Sequence, residues 1–172
     1  MVFIMNKENF TFYLAGPIWN EPLNITKRDW RQFLTKKIES IGHVAIDPTK
    51  KKNEKFESET VSDVISYRKR YGFGSEKTSE FIDWIYFEDL RLIEKSDAII
   101  AYLPKKITSF GTAQELFYNY HILKKKNFII TDMDLIKDTS VFLQKTTTKF
   151  FNSLDDIVEN FDDLISLLKV YY

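Results

Sequence analysis

The chain has 172 residues, 44% of them hydrophobic and 16% aromatic, which excludes a disordered or low-complexity protein and leaves material for one packed core. Its 25 basic and 25 acidic residues cancel, so no basic excess favours duplex nucleic acid or an anionic membrane, and neither is expected as a partner. There is no cysteine, and His43 and His121 are the only histidines, so disulfides, thiolate nucleophiles and cysteine zinc sites are excluded and no metal centre is expected. Residues 1–10 lack the basic region and long apolar run of a signal peptide. The longest apolar stretch, 98–103, falls far short of the roughly 20 residues of a membrane helix. A single-domain, cytoplasmic protein spanning 1–172 is expected.

Residues 10–15 (FTFYLA) read as a buried first strand ended by Gly16-Pro17. Residues 25–41 are amphipathic, with Trp30, Phe33, Leu34, Ile38 and Ile41 at helical spacing, and Gly42 stops the helix. A short second strand, 43–47, closes at Pro48. Residues 49–78 are polar and charged with weak periodicity, and read as a long insertion, either a solvated loop or a lid. A helix follows over 79–96, then the apolar strand 97–103, which suits a central parallel position. Residues 111–125 read as a third helix, 127–131 as the fourth strand and 149–152 as a short edge strand. Ser153 caps a last helix with Asp155 and Asp156 in its first turn. Alternating strands and helices predict an α/β fold: a single doubly wound parallel sheet of about five strands, flavodoxin-like, with the insertion after its second strand. Such sheets bind ligands at the carboxyl ends of their strands.

Two acids stand out at those ends. Glu115 is read in the first turn of the third helix, after Ser109, Gly111 and Thr112; free amides there hold a carboxylate ionised, which suits a nucleophile. The same position equally suits an ordinary acid at a helix start. Asp89 falls near the middle of the apolar stripe formed by Ile82, Ile85, Tyr86, Leu92 and Ile93. An acid there must be paired, hydrogen-bonded or protonated, either as a structural group or, beside a pocket, as a proton donor with a raised pKa. One ionised and one protonatable carboxylate is the pattern for cleaving a glycosidic bond with retention. Neither a GxGxxG nor a GxxxxGK[ST] motif is present.

The segments FYLAGPIW (12–19), FEDLRLIEKSDAIIAYL (87–103) and SFGTAQELFYNY (109–120) resemble, in order and spacing, the nucleoside 2-deoxyribosyltransferase family. The resemblance implies that Glu115 attacks the anomeric carbon to form a covalent glycosyl-enzyme. It implies that Asp89 protonates the leaving base and later activates the acceptor, and that Tyr13 positions the nucleophile. It places Gly16, Pro17, Ile18 and Trp19 against base and sugar, with Gly111 at the start of the nucleophile's helix. It further implies a nucleoside and a free base as partners, no cofactor, and a homo-oligomer, a dimer or larger, in which a neighbouring subunit completes the site. Two positions depart from the transferase pattern: Ser109 where an aspartate usually binds the 5′-hydroxyl, and Ser140 where the neighbouring subunit usually supplies an asparagine. Both serines look more like the related 2′-deoxynucleoside 5′-monophosphate N-hydrolases, since a hydroxyl can donate to a phosphate that a carboxylate repels. The apolar Ile18-Trp19 pair looks like the transferases. A non-catalytic nucleotide-binding module on the same fold is the third reading, because fold alone does not imply function.

Overall fold

The computed structural model describes residues 3–4, 7–17, 29–50, 56, 64–105 and 109–171, with the backbone alone at 3, 4 and 171. The expectations at Ile18 and Trp19, and those for 25–28 and most of 51–63, lie outside these residues.

A short strand β1 (Phe3–Ile4) belongs to a two-stranded antiparallel ribbon, with Phe3 opposite Tyr171 and Ile4 opposite Val170. The next five strands form one parallel sheet: β2 (Thr11–Ala15), β3 (Val44–Ile46), β4 (Ala98–Tyr102), β5 (Lys126–Ile130) and β6 (Lys149–Phe151). Their order is β3-β2-β4-β5-β6, so the predicted strands pair in the predicted flavodoxin-like order. The strand β7 (Val170–Tyr171) completes the ribbon, which the apolar pattern of the sequence does not suggest.

Helices cover both faces, and the two-residue period of β2 decides which side chain meets which layer. Phe12 and Leu14 join Ile100, Phe128 and Ile130 under α1 (Trp30–Ser40), α6 (Leu154–Glu159) and α7 (Phe161–Lys169). Tyr13 and Ala15 join Ile99, Ala101 and Ile129 under α3 (Glu76–Lys95) and α4 (Phe110–Phe117), whose Ile93 and Leu116 complete that layer. The N-cap of α1 is Asp29, accepting from the Gln32 amide at 3.2 Å, so this helix begins at Trp30 rather than at 25. Ser153 caps α6 as expected, with Asp155 and Asp156 in its first turn.

The region 49–78 is less loop-like than its composition indicates. Residues 64–71 form a helix, α2, and α3 already starts at Glu76, capped by Ser75. The stripe of α2 is Val64 and Tyr67, with Tyr71 packed beside them, in a run of charged residues, which is too short to register as periodicity. Tyr67 nevertheless stacks on Phe81 of α3 with centroids 4.3 Å apart, and Phe56 packs on Phe81 at 5.2 Å.

Buried polar groups tie the layers together. Asn127 in β5 donates to the carbonyls of Leu116 (2.9 Å) and Thr146 (3.0 Å), and accepts from Asn119 at 2.8 Å. Asn119 lies in the π-helical turn Tyr118–Ile122, where the third predicted helix departs from α geometry after Phe117. Two consecutive lysines serve opposite faces. Lys125 donates to the carbonyls of Ile93, Glu94 and Ser96 at the end of α3, and Lys126 to those of Leu167 and Val170 at the end of α7. Among the described residues no helix is long and apolar enough to cross a membrane.

Candidate active site

At the carboxyl end of β2, on the α3/α4 face, three of the residues singled out in the sequence meet. The fully buried Tyr13 hydroxyl lies 3.0 Å from Asp89 Oδ1 and 2.8 Å from Glu115 Oε1. Pairing of Tyr13 with Ile99 and Ile46 fixes where the phenol emerges, and α3 and α4 deliver the acids from above. Burial first, and then the neighbouring charges of Glu115 and Asp89, push the Tyr13 phenol well above its ordinary pKa and keep it neutral. A phenol has one proton to donate. Both contacts are therefore conventional hydrogen bonds only when one carboxyl is itself protonated and donates to the phenol oxygen. The geometry thus accommodates one ionised and one protonated acid sharing a single phenol oxygen.

Asp89 and Glu115 open into a cavity of about 690 Å³ between α3 and α4. Its apolar walls are Ile82, Ile85, Leu90, Phe110, Phe117 and Ile122, with Tyr86, Tyr118 and Gln114 among the polar contributions. Gly111 lines it too, and a Cβ there would meet nothing within 4 Å, so this glycine is not required by a close approach inside the chain. Phe110 (80% exposed) and Ile122 (60%) leave a large apolar rim at the mouth.

One detail of the sequence reading is corrected. Glu115 is the sixth residue of α4, in its second turn, because the α-helix starts at Phe110 under the Ser109 cap. One first-turn amide is served by the cap: Ser109 Oγ accepts from the Thr112 amide at 3.3 Å and pairs with Thr112 Oγ1 at 2.7 Å. What Glu115 meets is the Tyr13 hydroxyl rather than the helix N-terminus. Ser109 therefore has a structural engagement that its position in the sequence does not announce.

Gly16 and Pro17 leave β2 directly after the Tyr13-Leu14-Ala15 stretch. A Cβ at Gly16 would lie 2.7 Å from Trp30 Cζ2 and 3.0 Å from the Tyr102 carbonyl oxygen, so no larger residue fits without displacing one of them. Sequence reasoning did not single out Arg31, which is buried here and donates to the Gly16 carbonyl at 2.7 Å and the Pro17 carbonyl at 3.2 Å. The signal existed, since Arg31 shares the buried stripe of Leu34 and Ile38, three and seven residues on. Ser140 stands apart from the cavity lining, exposed at the N-cap of α5 (Val141–Thr146), where it accepts from the Leu143 amide at 3.1 Å. Val141 (74% exposed) and Phe142 (76%) beside it carry the exposed apolar surface further. Among the described residues no group of three or more histidine, aspartate or glutamate side chains converges as a metal site would require.

No protein-family model matches the chain, and no curated protein is significantly similar to it in sequence. Solved structures are similar. A 2-deoxyribosyltransferase from the psychrotolerant bacterium Bacillus psychrosaccharolyticus superposes with a TM-score of 0.62 at 22% identity, covering 94% of this chain and 99% of that one. A CMP N-glycosidase from Clostridium botulinum gives a TM-score of 0.49 at 17% identity, covering 88% and 98%. At 22% identity, what the chain shares with the first is the fold.

Proposed function

We propose that this protein breaks and remakes N-glycosidic bonds, moving a 2-deoxyribosyl group between nucleobases through a covalent glycosyl-Glu115 intermediate, in the salvage of nucleosides. The observation that carries the reading is the single phenol shared by two carboxyls. Its bonds of 3.0 and 2.8 Å cap the separation of Asp89 Oδ1 and Glu115 Oε1 at 5.8 Å. Retaining glycosidases place their two carboxyl groups about 5–5.5 Å apart, whereas inverting ones need roughly 6.5–9.5 Å to admit a water. A pair this close suits double displacement, with the sugar held on the enzyme.

In the first half-reaction the ionised Glu115 oxygen bonds to the anomeric carbon as the C–N bond breaks. The electrons of that bond leave with the base, which takes its proton from Asp89. Asp89 is then the carboxylate that removes a proton from an incoming base, whose nitrogen attacks the same carbon and releases Glu115. Tyr13 donates to whichever oxygen carries charge and holds it on line. The sequence's likeness to the deoxyribosyltransferases and the shared fold of the Bacillus psychrosaccharolyticus enzyme support this assignment. Ser109, the residue that would meet a 5′-phosphate in the hydrolytic reading, has its hydroxyl engaged by Thr112. The exposed apolar residues from Phe110 and Phe117 to Val141 and Phe142 favour a second copy of the chain over this face, with Ser140 beside it.

A product assay separates the readings. One reaction contains deoxyadenosine with a different free base and the other deoxyadenosine monophosphate alone, each with a Glu115→Gln control. A new deoxynucleoside in the first, absent from the control, is the expected result. Free adenine and deoxyribose 5-phosphate only in the second would replace transfer by hydrolysis. Ligand binding without turnover in either would make the protein a sensor.

A further inference from the structure

Arg31 is 6% exposed and lies on α1, across the sheet from Asp89 and Glu115. Its guanidinium wraps the carboxyl edge of β2, donating to the carbonyls of Gly16 (2.7 Å), Pro17 (3.2 Å) and, with a longer contact of 3.4 Å, Leu14. One side chain thus holds the backbone on both sides of Ala15, two residues beyond Tyr13. Trp30 covers the guanidinium carbon at 4.4 Å from its ring centre, and Asp47 Oδ1 lies 3.7 Å from Nε. A buried ion pair is an expensive way to fill space that apolar side chains fill as well. The packing of α1 is already supplied by Trp30, Leu34 and Ile38.

We propose that Arg31 is a positioning residue of the active site: it sets the course of the chain where β2 ends and holds a buried positive charge across the sheet from the Glu115 carboxylate. The assignment rests on the reading of Glu115 as nucleophile. A fixed cation favours the ionised carboxylate, both before attack and when the sugar is released. The acidic groups that act electrostatically on the guanidinium come from four elements: Asp47 after β3, in contact at 3.7 Å, and, without contact, Glu115 on α4, Tyr13 on β2 and Asp29 at the head of α1. Burial lowers the pKa of Arg31, and the carboxylates of Asp47, Glu115 and Asp29 oppose that shift. On the other side, Glu115 faces Tyr13, which it shares with Asp89.

The test uses the full chain with Arg31→Gln, Arg31→Lys and Asp47→Asn, each followed by thermal melting, the pH profile of kcat/KM, and carbon NMR titration of the Glu115 carboxyl. The NMR titration needs no turnover. In Arg31→Gln the Glu115 midpoint and the acid limb of kcat/KM should both rise by roughly half a pH unit or more. Below that limb kcat/KM should then fall about threefold or more. Arg31→Lys should restore the midpoint while kcat stays low, because a lysine cannot span three carbonyls. Asp47→Asn should leave the midpoint at or below that of the wild type. A lower melting temperature in Arg31→Gln with unchanged midpoint and profile would reduce Arg31 to a structural prop. If Arg31→Gln does not fold, an Asp47→Asn midpoint above that of the wild type overturns the proposal. Wild-type protein without N-glycosidic turnover, but with the Glu115 midpoint shifted in Arg31→Gln, would instead overturn the functional reading and leave the charge assignment standing.

Discussion

The two faces of the sheet are built from alternate residues of the same strands, yet they do opposite work. Phe12 and Leu14 of β2 face α1, α6 and α7, where they pack with Phe10, Ile100, Phe128, Phe161 and Leu164. Tyr13, between them, faces α3 and α4, where the packing stops at the phenol and a cavity of about 690 Å³ takes over. On the closed face stability comes from shape and apolar area. On the open face a few polar atoms sit in surroundings dry enough to shift their chemistry. The difference teaches that a single strand can be divided by parity into a structural half and a chemical half. Substitutions one residue apart should then fail in different assays.

The sharpest test is Glu115→Gln, which keeps the shape and removes the carboxylate proposed as nucleophile. It should lower kcat/KM by about a thousandfold or more while thermal stability stays within a few degrees. Leu14→Ala should do the reverse. Its side chain is fully buried on the closed face, so denaturant unfolding should show a loss of about 2–5 kcal/mol, with kcat per folded molecule nearly unchanged. Similar kinetic losses in both variants would erase the division between faces.

Tyr13→Phe lies between these extremes and should cost about ten- to a hundredfold in kcat, because the carboxyls lose the hydroxyl that registers them. It also carries a pH signature. The Tyr13 pKa is raised in the folded protein, first by burial and then by Glu115 and Asp89. The unfolded phenol ionises near pH 10, so Tyr13 contributes stability that is full below about pH 10 and lost as pH rises toward the folded value. Melting temperatures measured from pH 8 to 11 should fall less steeply in Tyr13→Phe. Smallest of all, Ser109→Ala removes the cap of α4 and should cost about 0.5–2 kcal/mol of stability, read by thermal melting. If it abolished turnover instead, Ser109 would belong to the chemical half after all.

How much of this the sequence discloses depends on how long each signal runs. The sheet is legible because its strands are continuous apolar runs separated by helices, and 97–103 and 127–131 cannot be much else. Asp89 is legible because α3 is long enough for an acid to be placed on its apolar stripe. Tyr13 is not legible from hydropathy, because in FTFYLA both faces are buried and alternation disappears; only its likeness to a family motif marked it. Arg31 carried the same signal as Asp89, a charge on a buried stripe, but a long side chain at a helix start is ordinarily taken to reach water. For α2, Val64, Tyr67 and Tyr71 set around Arg68, Lys69 and Arg70 are too few to outweigh the charge. The start of α4 is one residue earlier than read, at Phe110 under the Ser109 cap, which makes Glu115 its sixth residue and puts it beyond the first turn.

The adjacent lysines that hold the ends of α3 and α7 also give the fold a chemical readout of its own breathing. Burial lowers the pKa of both amines, which would make them more reactive toward an acylating reagent than ordinary surface lysines. Each nitrogen is also held by carbonyls at a helix end, so its availability to a reagent rises when that helix end lets go. The labelling rates at Lys125 and Lys126 therefore count the openings of two helices on opposite sides of the sheet, from two consecutive positions in a single peptide.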